Sequence, residues 1–437
     1  MHVIIIGAGT GGLCLAHGLR KAGVSVAVYE RDRTRSDGLN GYRVGIDPTG
    51  NRALKECLPP ELFDTFVTTC ARAPRFFNVL TEKRATTASF PLRPDDDPVN
   101  SERSVSRMTL RQVLLTGMED VVHFDKEFTR YEQHGDGTVT AHFADGTSAT
   151  GDLLVAADGT NSRVRRQYLP HAQIKDSGII AISAKVPVTD ETRALLTPEM
   201  FHGISLLFAP QGKFCIWHVM EFKWDREGAV KHGIGGNDAE LIENWPGLLY
   251  DNTRDYINWG FSAAADKFPA DVMRMRGQDL VDLALSMTED WHPDLRNLFT
   301  LSDLGSCFPI NIRTSVPIEP WQSSTVTLLG DAIHTMTPGQ GVGANTALRD
   351  AMLLCRQLTS GKPVLDAVAA YEGEMIPYGF ARVRDSLDRM GGEGPMHKPV
   401  IGRIMLAMTR AYFAATDRVP ALKRKFLDDL YTYRGAE

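Results

Sequence analysis

The sequence predicts a mixed α/β fold: a parallel-sheet β-α-β domain, an antiparallel sheet inserted into it, and a helical C-terminus. Three observations lead there. An apolar, β-branched run at the N-terminus (residues 2–6) is followed at once by a glycine-rich turn, a stretch with helical apolar spacing and a second apolar run at 24–29. Between about residues 175 and 301, aromatic runs alternate with period two. Beyond a Gly-Gly-Glu-Gly-Pro break at 391–395, residues 401–413 place their apolar side chains on one helical face.

The first run, His-Val-Ile-Ile-Ile, reads as a buried parallel strand. It ends in Gly7-Ala8-Gly9-Thr10-Gly11-Gly12, and the helix that follows stops at Gly23 before the strand Val24 to Tyr29. Gly7, Gly9 and Gly12 suit a tight turn, close backbone approach to a pyrophosphate and close helix-to-strand packing; the helix N-terminus offers N–H groups to the anion. Glu30 stands 23 residues past Gly7, where an acid takes ribose hydroxyls. The unit is therefore Rossmann-like and fits FAD or NAD. An acid there disfavours the 2′-phosphate of NADP, although Arg31 and Arg33 are close by.

With 437 residues the chain can bury a core large enough to enclose a ligand. A formal net charge of -6, acids and bases interspersed, leaves no extended basic surface, so no nucleic acid partner is expected. Cys14, Cys57, Cys70, Cys215, Cys307 and Cys355 show neither a CxxC pair nor metal-like spacing with histidine; they read as buried or reduced thiols, and no metal is expected. The first strand begins within two residues of Met1, leaving no room for a secretory leader, and no run of about 18 apolar residues occurs. The expectation is a cytoplasmic protein without stable membrane association, a monomer or weak homo-oligomer.

Gly151 to Arg165 reads as a strand that ends in Asp158-Gly159 and opens a helical turn holding Ser162 and Arg165. Far downstream, the apolar strand Thr325 to Leu329 runs into Gly330-Asp331-Ala332-Ile333-His334, then Pro338-Gly339-Gln340-Gly341-Val342-Gly343-Ala344-Asn345, then a helix from about Thr346 to Leu358. In order and spacing, these segments and the glycine turn resemble the flavoprotein monooxygenase family of para-hydroxybenzoate hydroxylase and the tetracycline-inactivating monooxygenases. The resemblance implies tightly but non-covalently bound FAD. Its ADP half would lie on the first motif. Asp158, Gly159, Ser162 and Arg165 match a DGxxSxxR motif near the pyrophosphate that is implicated in NAD(P)H use. Asp331 would contact the ribityl chain, and Gly341, Val342, Gly343, Ala344 and Asn345 would lie under the isoalloxazine, where loop amides can stabilise the charge of the reduced ring. Arg107, in Arg107-Met108-Thr109-Leu110-Arg111, matches the first arginine of an R-x-x-L-R segment that reaches the cofactor. Arg43 lies where several members place an arginine near the flavin, while a solvated surface arginine fits it equally well. Val342, Ile333 and Arg349 depart from the family's usual glutamine, alanine and acid; contacts made through the backbone tolerate this. Catalysis would be flavin-based, with His334 and Arg43 as weak side-chain candidates.

In the middle of the chain, residues 179–186, 204–208, 214–222 and 256–262 read as antiparallel strands, with a further strand from 72–90. In the resembling family such a sheet roofs the flavin and lines the substrate pocket. Phe201, Phe208, Phe214, Trp217, Phe222, Trp224 and Phe308 supply aromatic area, about two or three of them for a pocket and the rest for core. Phe208, Phe214 and Trp217, with Arg313 and Pro338, are the substrate candidates, and alternation divides Phe214 to His218 between two faces. The expected organisation is an FAD-binding domain of residues 1–72, 100–174 and 302–390, a mostly β substrate-binding domain of 73–99 and 175–301, and a C-terminal helical segment, 391–437.

The function so implied is an FAD-dependent monooxygenase that takes NADPH or NADH as transient co-substrate and O2 as oxidant. Through a flavin C4a-(hydro)peroxide it would hydroxylate or otherwise oxygenate an apolar aromatic or polycyclic small molecule, in secondary metabolism or antibiotic modification. A different class carries the same motifs: a non-redox cyclase of natural-product biosynthesis in which FAD is structural.

Overall fold

The computed structural model describes residues 1–34, 43–93, 97–223 and 255–435; Gly41, Tyr42 and Trp224 lie outside the described residues. Val3, Ile4, Ile5 and Ile6 are buried on both faces of β1 (His2–Ile6), as an unbroken β-branched run requires of a central parallel strand. β1 pairs in parallel with β2 (Ser25–Tyr29) on one side and β11 (Leu153–Ala156) on the other. β7 (Val122–His123) and β17 (Val326–Leu328) complete, among the described residues, a five-stranded parallel sheet in the order β17-β11-β1-β2-β7. The helices Thr10–Lys21 and Gly343–Leu358 pack against each other beside it, burying Leu13, Leu15, Leu348 and Leu354 completely. Each such side chain contributes about 1.5–3 kcal/mol of transfer free energy.

Two smaller pieces frame this sheet. β3 (Arg43–Ile46) pairs with β6 (Arg103–Ser106). A meander of β8 (Phe128–Gln133), β9 (Val139–Phe143) and β10 (Ser148–Gly151) turns on glycines at positive φ, Gly137 and Gly146.

The second large sheet, seven-stranded among the described residues, runs β16 (Phe308–Ser315), β12 (Ile174–Pro187), β15 (Tyr256–Ala264), β14 (Phe214–Met220), β13 (Gly203–Phe208), β4 (Phe76–Leu80), β5 (Thr86–Pro91). The sheet is antiparallel, as expected, except that β4 and β13 pair in parallel. The reason is connectivity: β4 and β5, a hairpin contributed by the segment read as one strand, arrive from far upstream rather than through a tight turn into β13. One face is closed by the helices Gln278–Met287 and Pro293–Thr300, which fall in a region read as strand-rich. There Trp217, Trp259 and Phe261 form a buried aromatic cluster with Trp291 and Phe299. On the opposite face Phe208 and Phe214 lie 5.4 Å apart, and Phe208 stacks on Phe413 at 6.2 Å. Phe413 belongs to the helix Pro399–Arg418, which follows the break at 391–395. No helix among the described residues is long and apolar enough to cross a membrane.

Candidate functional site

The glycine turn meets three separate demands. Gly7 has φ of +107°, and a Cβ there would sit 2.4 Å from the Ala157 carbonyl oxygen. Gly12 would place a Cβ 2.3 Å from the Gly7 carbonyl oxygen, and Gly11 one 2.7 Å from Leu329 and 3.1 Å from the Ala347 carbonyl oxygen. These three are glycine because protein packs on them. Gly9 is different: its backbone is extended, and a Cβ would meet only the Ala157 oxygen at 4.0 Å. No contact among the described residues demands glycine at Gly9, which instead lines an open cavity.

That turn opens on a cavity of about 520 Å³ lined by Gly7, Ala8, Gly9, Thr10, Glu30, Arg31, Arg107 and Asp158, which the sequence singled out. Arg111, Lys126, Arg163 and Arg166 line it too; Arg111 and Arg163 lay within recognised motifs, whereas Lys126 and Arg166 did not. Six basic side chains face four acidic ones, a balance suited to a pyrophosphate. The helix Thr10–Lys21 has no side-chain cap and no acid in its first turn, which leaves its first N–H groups available to an anion. Glu30 lines the cavity and also braces the turn, since its carboxylate accepts from the Ala8 N–H at 2.6 Å and the Asp32 N–H at 3.0 Å. Asp158 accepts from the Arg163 N–H at 2.8 Å, whereas its Oδ1 is buried without a partner among the described residues; burial raises its pKa. A glycine whose side-chain space stays open and an orphaned carboxylate oxygen on the same wall fit a bound dinucleotide.

Arg165 joins the second motif to the third. Its guanidinium is buried and donates to the Ala332 carbonyl oxygen at 2.8 Å and the Thr160 oxygen at 3.0 Å, while Ser162 Oγ accepts from the Arg165 N–H and caps its helix. Arg165→Ala is expected to cost about 2 kcal/mol in urea unfolding, because two buried carbonyls lose a charged donor. Arg165→Lys should recover less than half, since an ammonium on a linear stem does not span both acceptors. An unchanged unfolding midpoint in Arg165→Ala would show that the two motifs hold together without it.

Asp331 and the Gly341–Asn345 loop do not line this cavity. Asp331 is solvent-exposed yet surrounded by protein, as on the wall of a cleft, and those surroundings raise its pKa while His334 and Arg107 pull it down. Arg107, lining the cavity, thus acts electrostatically on Asp331. Gly341 is left-handed at φ +68°, and Val342 starts the Gly343–Leu358 helix with no side-chain cap and no first-turn acid. Asn345 gives its side chain to the protein instead: it donates to the Gly45 carbonyl oxygen and accepts from the Asp47 N–H, both at 3.0 Å. Only its backbone is left to serve a ligand.

His334 is 1% exposed and does not line the cavity; Nε2 sits 2.6 Å from Asp350 Oδ2. Burial would lower its pKa, but the Asp350 charge and hydrogen bond outweigh this and raise it. Asp350, fully buried, also accepts from the Gly330 N–H at 2.7 Å and from the Tyr378 hydroxyl. This hub shapes the Gly330-Asp331 turn and offers His334 no path to a substrate. Arg43, 15% exposed, is not a solvated surface group: it pairs with Glu102 at 3.1 Å and donates to Ser104 Oγ at 3.0 Å.

The substrate candidates separate by face. Phe208, Phe214 and Phe308 are half-buried and Pro338 is exposed, at the start of the turn that precedes the Gly343–Leu358 helix. Trp217, a pocket candidate, is 2% exposed in the core cluster under the covering helices, as are Phe201 and Phe222 in buried clusters. Odd positions of β14 point to that core, so alternation places Trp217 there and His218 opposite. Arg313 donates to Asn161 Oδ1 at 2.9 Å, beside the second motif rather than on the aromatic face.

Comparison with known proteins gives two family matches: an FAD binding domain over residues 291–372 and an NAD(P)-binding Rossmann-like domain over residues 5–44. The chain is 35% identical to a provisionally assigned FAD-containing monooxygenase of Photorhabdus luminescens subsp. laumondii, whose structure matches at a TM-score of 0.75 over 89% of this chain and 96% of that one. It is 32% identical over 413 residues to the dual O-methyltransferase/FAD-dependent monooxygenase CTB3 of Cercospora beticola, covering 85% of this chain and 44% of that protein. The chain thus spans less than half the length of this relative. HpxO of Klebsiella pneumoniae, solved with FAD and uric acid, is similar in fold, at a TM-score of 0.75 and 22% identity over 99% of this chain and 97% of HpxO.

Proposed function

The chain belongs to the FAD-dependent monooxygenase family, and from that premise we propose that it uses NAD(P)H and O2 to hydroxylate or otherwise oxygenate an aromatic or polycyclic small molecule, in secondary metabolism or antibiotic modification. The observation that carries this reading is the convergence of three distant segments: Gly7 against Ala157, Gly11 against Ala347, and Arg165 onto Ala332. Bound FAD supplies the redox chemistry, passing two electrons from NAD(P)H to O2 so that one oxygen atom enters the substrate and the other leaves as water.

The chain's own residues bind, orient and exclude water. The first-turn amides after Gly9 would hold the pyrophosphate, with Arg107 beside it and Glu30 toward the ribose. Asp331 would take a ribityl hydroxyl. The uncapped amides of Gly343 and Ala344, at a helix N-terminus, would meet the ring edge that gains negative charge on reduction. The aromatic face of the second sheet would cover the ring and receive the substrate, with the division into FAD-binding, substrate-binding and C-terminal segments expected from the sequence. The comparisons do not favour a non-redox cyclase.

The test is a visible spectrum of the purified protein, followed by NADPH and NADH oxidation in air with and without polycyclic phenols, with hydrogen peroxide measured alongside. We expect a flavin spectrum and phenol-stimulated oxidation that exceeds the peroxide released. FAD that neither nicotinamide reduces, in a protein that still converts a substrate, would overturn the reading.

A further inference from the structure

On the aromatic face of the second sheet, two polar side chains stand directly across from each other. His218 on β14 is opposite Asn258 on β15, in register with Ile216 opposite Gly260 and Phe214 opposite Ser262. They are 2% and 8% exposed, yet neither ring nitrogen of His218 nor Oδ1 of Asn258 has a hydrogen-bond partner among the described residues. Orphaned polar atoms in a folded interior are costly, and one unsatisfied cross-strand pair on the face opposite the sealed core calls for a ligand. The geometry points to His218 and Asn258 as the polar anchor of the substrate pocket, taking the hydroxyl group of a neutral hydroxyaromatic substrate; this rests on the monooxygenase reading above.

The chemistry of the pair selects the class. Burial, and then the charge of Arg43, hold the His218 pKa well below its ordinary value, so the imidazole is neutral, with one N–H and one lone pair. Asn258 Oδ1 only accepts. An aromatic hydroxyl satisfies both, donating to Asn258 Oδ1 while its oxygen accepts from the imidazole N–H. A carboxylate satisfies only half of this: it accepts from the imidazole N–H but cannot donate to Asn258 Oδ1, and the nearby cation, Arg43, is engaged with Glu102 and Ser104. Next along the same face, Ile216, Phe214 and the side-chain-free Gly260 are half-open, an apolar floor on which a flat ring can lie. The hydroxyl would then be the deepest part of the bound molecule.

The FAD-loaded protein tests this by equilibrium dialysis with 2-naphthol, 2-methoxynaphthalene and 2-naphthoate. The wild type is expected to bind 2-naphthol about tenfold more tightly than the other two. His218→Leu and Asn258→Leu should each lose most of that preference, while FAD content stays constant and the unfolding midpoint holds or rises, because removing an unsatisfied polar group does not harm the fold. Variants that keep the preference, a wild type that prefers 2-naphthoate or does not discriminate, or variants that lose FAD or stability would overturn the assignment. Binding is read without turnover, so a preference for 2-naphthol in a protein that oxidises no NAD(P)H would preserve the anchor and sink the monooxygenase reading, and the converse result would do the opposite.

Discussion

Asp350→Ala is expected to remove about 4 kcal/mol from the folding free energy and to abolish FAD retention, the largest effect of any single change at this site. The carboxylate has no solvent exposure, and three donors converge on it: the Gly330 N–H, His334 Nε2 and the Tyr378 hydroxyl. Truncation leaves all three unpaired in the interior. It also frees the Gly330-Asp331 turn, which needs φ of +59° at Gly330 and therefore depends on being held. Urea unfolding measures the first effect and the flavin-to-protein ratio after gel filtration the second. A pH series adds the sign. His334 has its pKa raised on folding, so its pairing contributes stability that is complete below the ordinary histidine value of about 6.5 and is lost as pH rises through the higher folded value. The wild type should weaken as pH climbs above about 6.5, and His334→Asn should flatten that slope. A steeper slope in the variant would contradict the assignment.

Gly12→Ala and Gly9→Ala, two changes of one methyl group in the same turn, are expected to fail in opposite ways. At Gly12 the new Cβ would sit 2.3 Å from the Gly7 carbonyl oxygen and 3.0 Å from Ala157 Cβ, so backbone must move and the apoprotein should lose about 3 kcal/mol. At Gly9 the same methyl meets no tight protein contact and the backbone is already extended, so apoprotein stability should not change. Its volume projects toward the cavity, and FAD affinity should fall about 100-fold, or about 2.7 kcal/mol. Urea unfolding of the two apoproteins and fluorescence titration with FAD separate the cases. Equal loss of stability in both would mean that the turn is glycine-rich for packing alone.

The contrast shows what the sequence carries. The β-α-β unit is legible because its demands are local: unbroken apolar runs, a helix start and glycines in fixed spacing. The Gly330 and Asp331 turn was visible for the same reason. The opposite wall of the cavity was not, since Lys126 and Phe128 arrive on a short strand and its approach, with no spacing signal to mark them. The helices at 278–300 were overlooked because strand-like aromatic runs dominate their neighbourhood, and they decide which face of the sheet is core. Alternation could divide Trp217 from His218, but only that covering layer says which of them is buried in hydrocarbon. Asn345 and His334 sit in recognisable motifs whose side chains turn out to brace backbone, a distinction set by contacts with Gly45, Asp47 and Asp350 hundreds or tens of residues away.

The most direct test of the central claim is isotopic. The FAD-loaded protein is supplied with NADPH or NADH under ¹⁸O2 together with polycyclic phenols, and products are analysed by mass spectrometry. The account predicts a product carrying one ¹⁸O atom, formed only when the nicotinamide is consumed. A product without label, or one formed while the nicotinamide remains untouched, would contradict it.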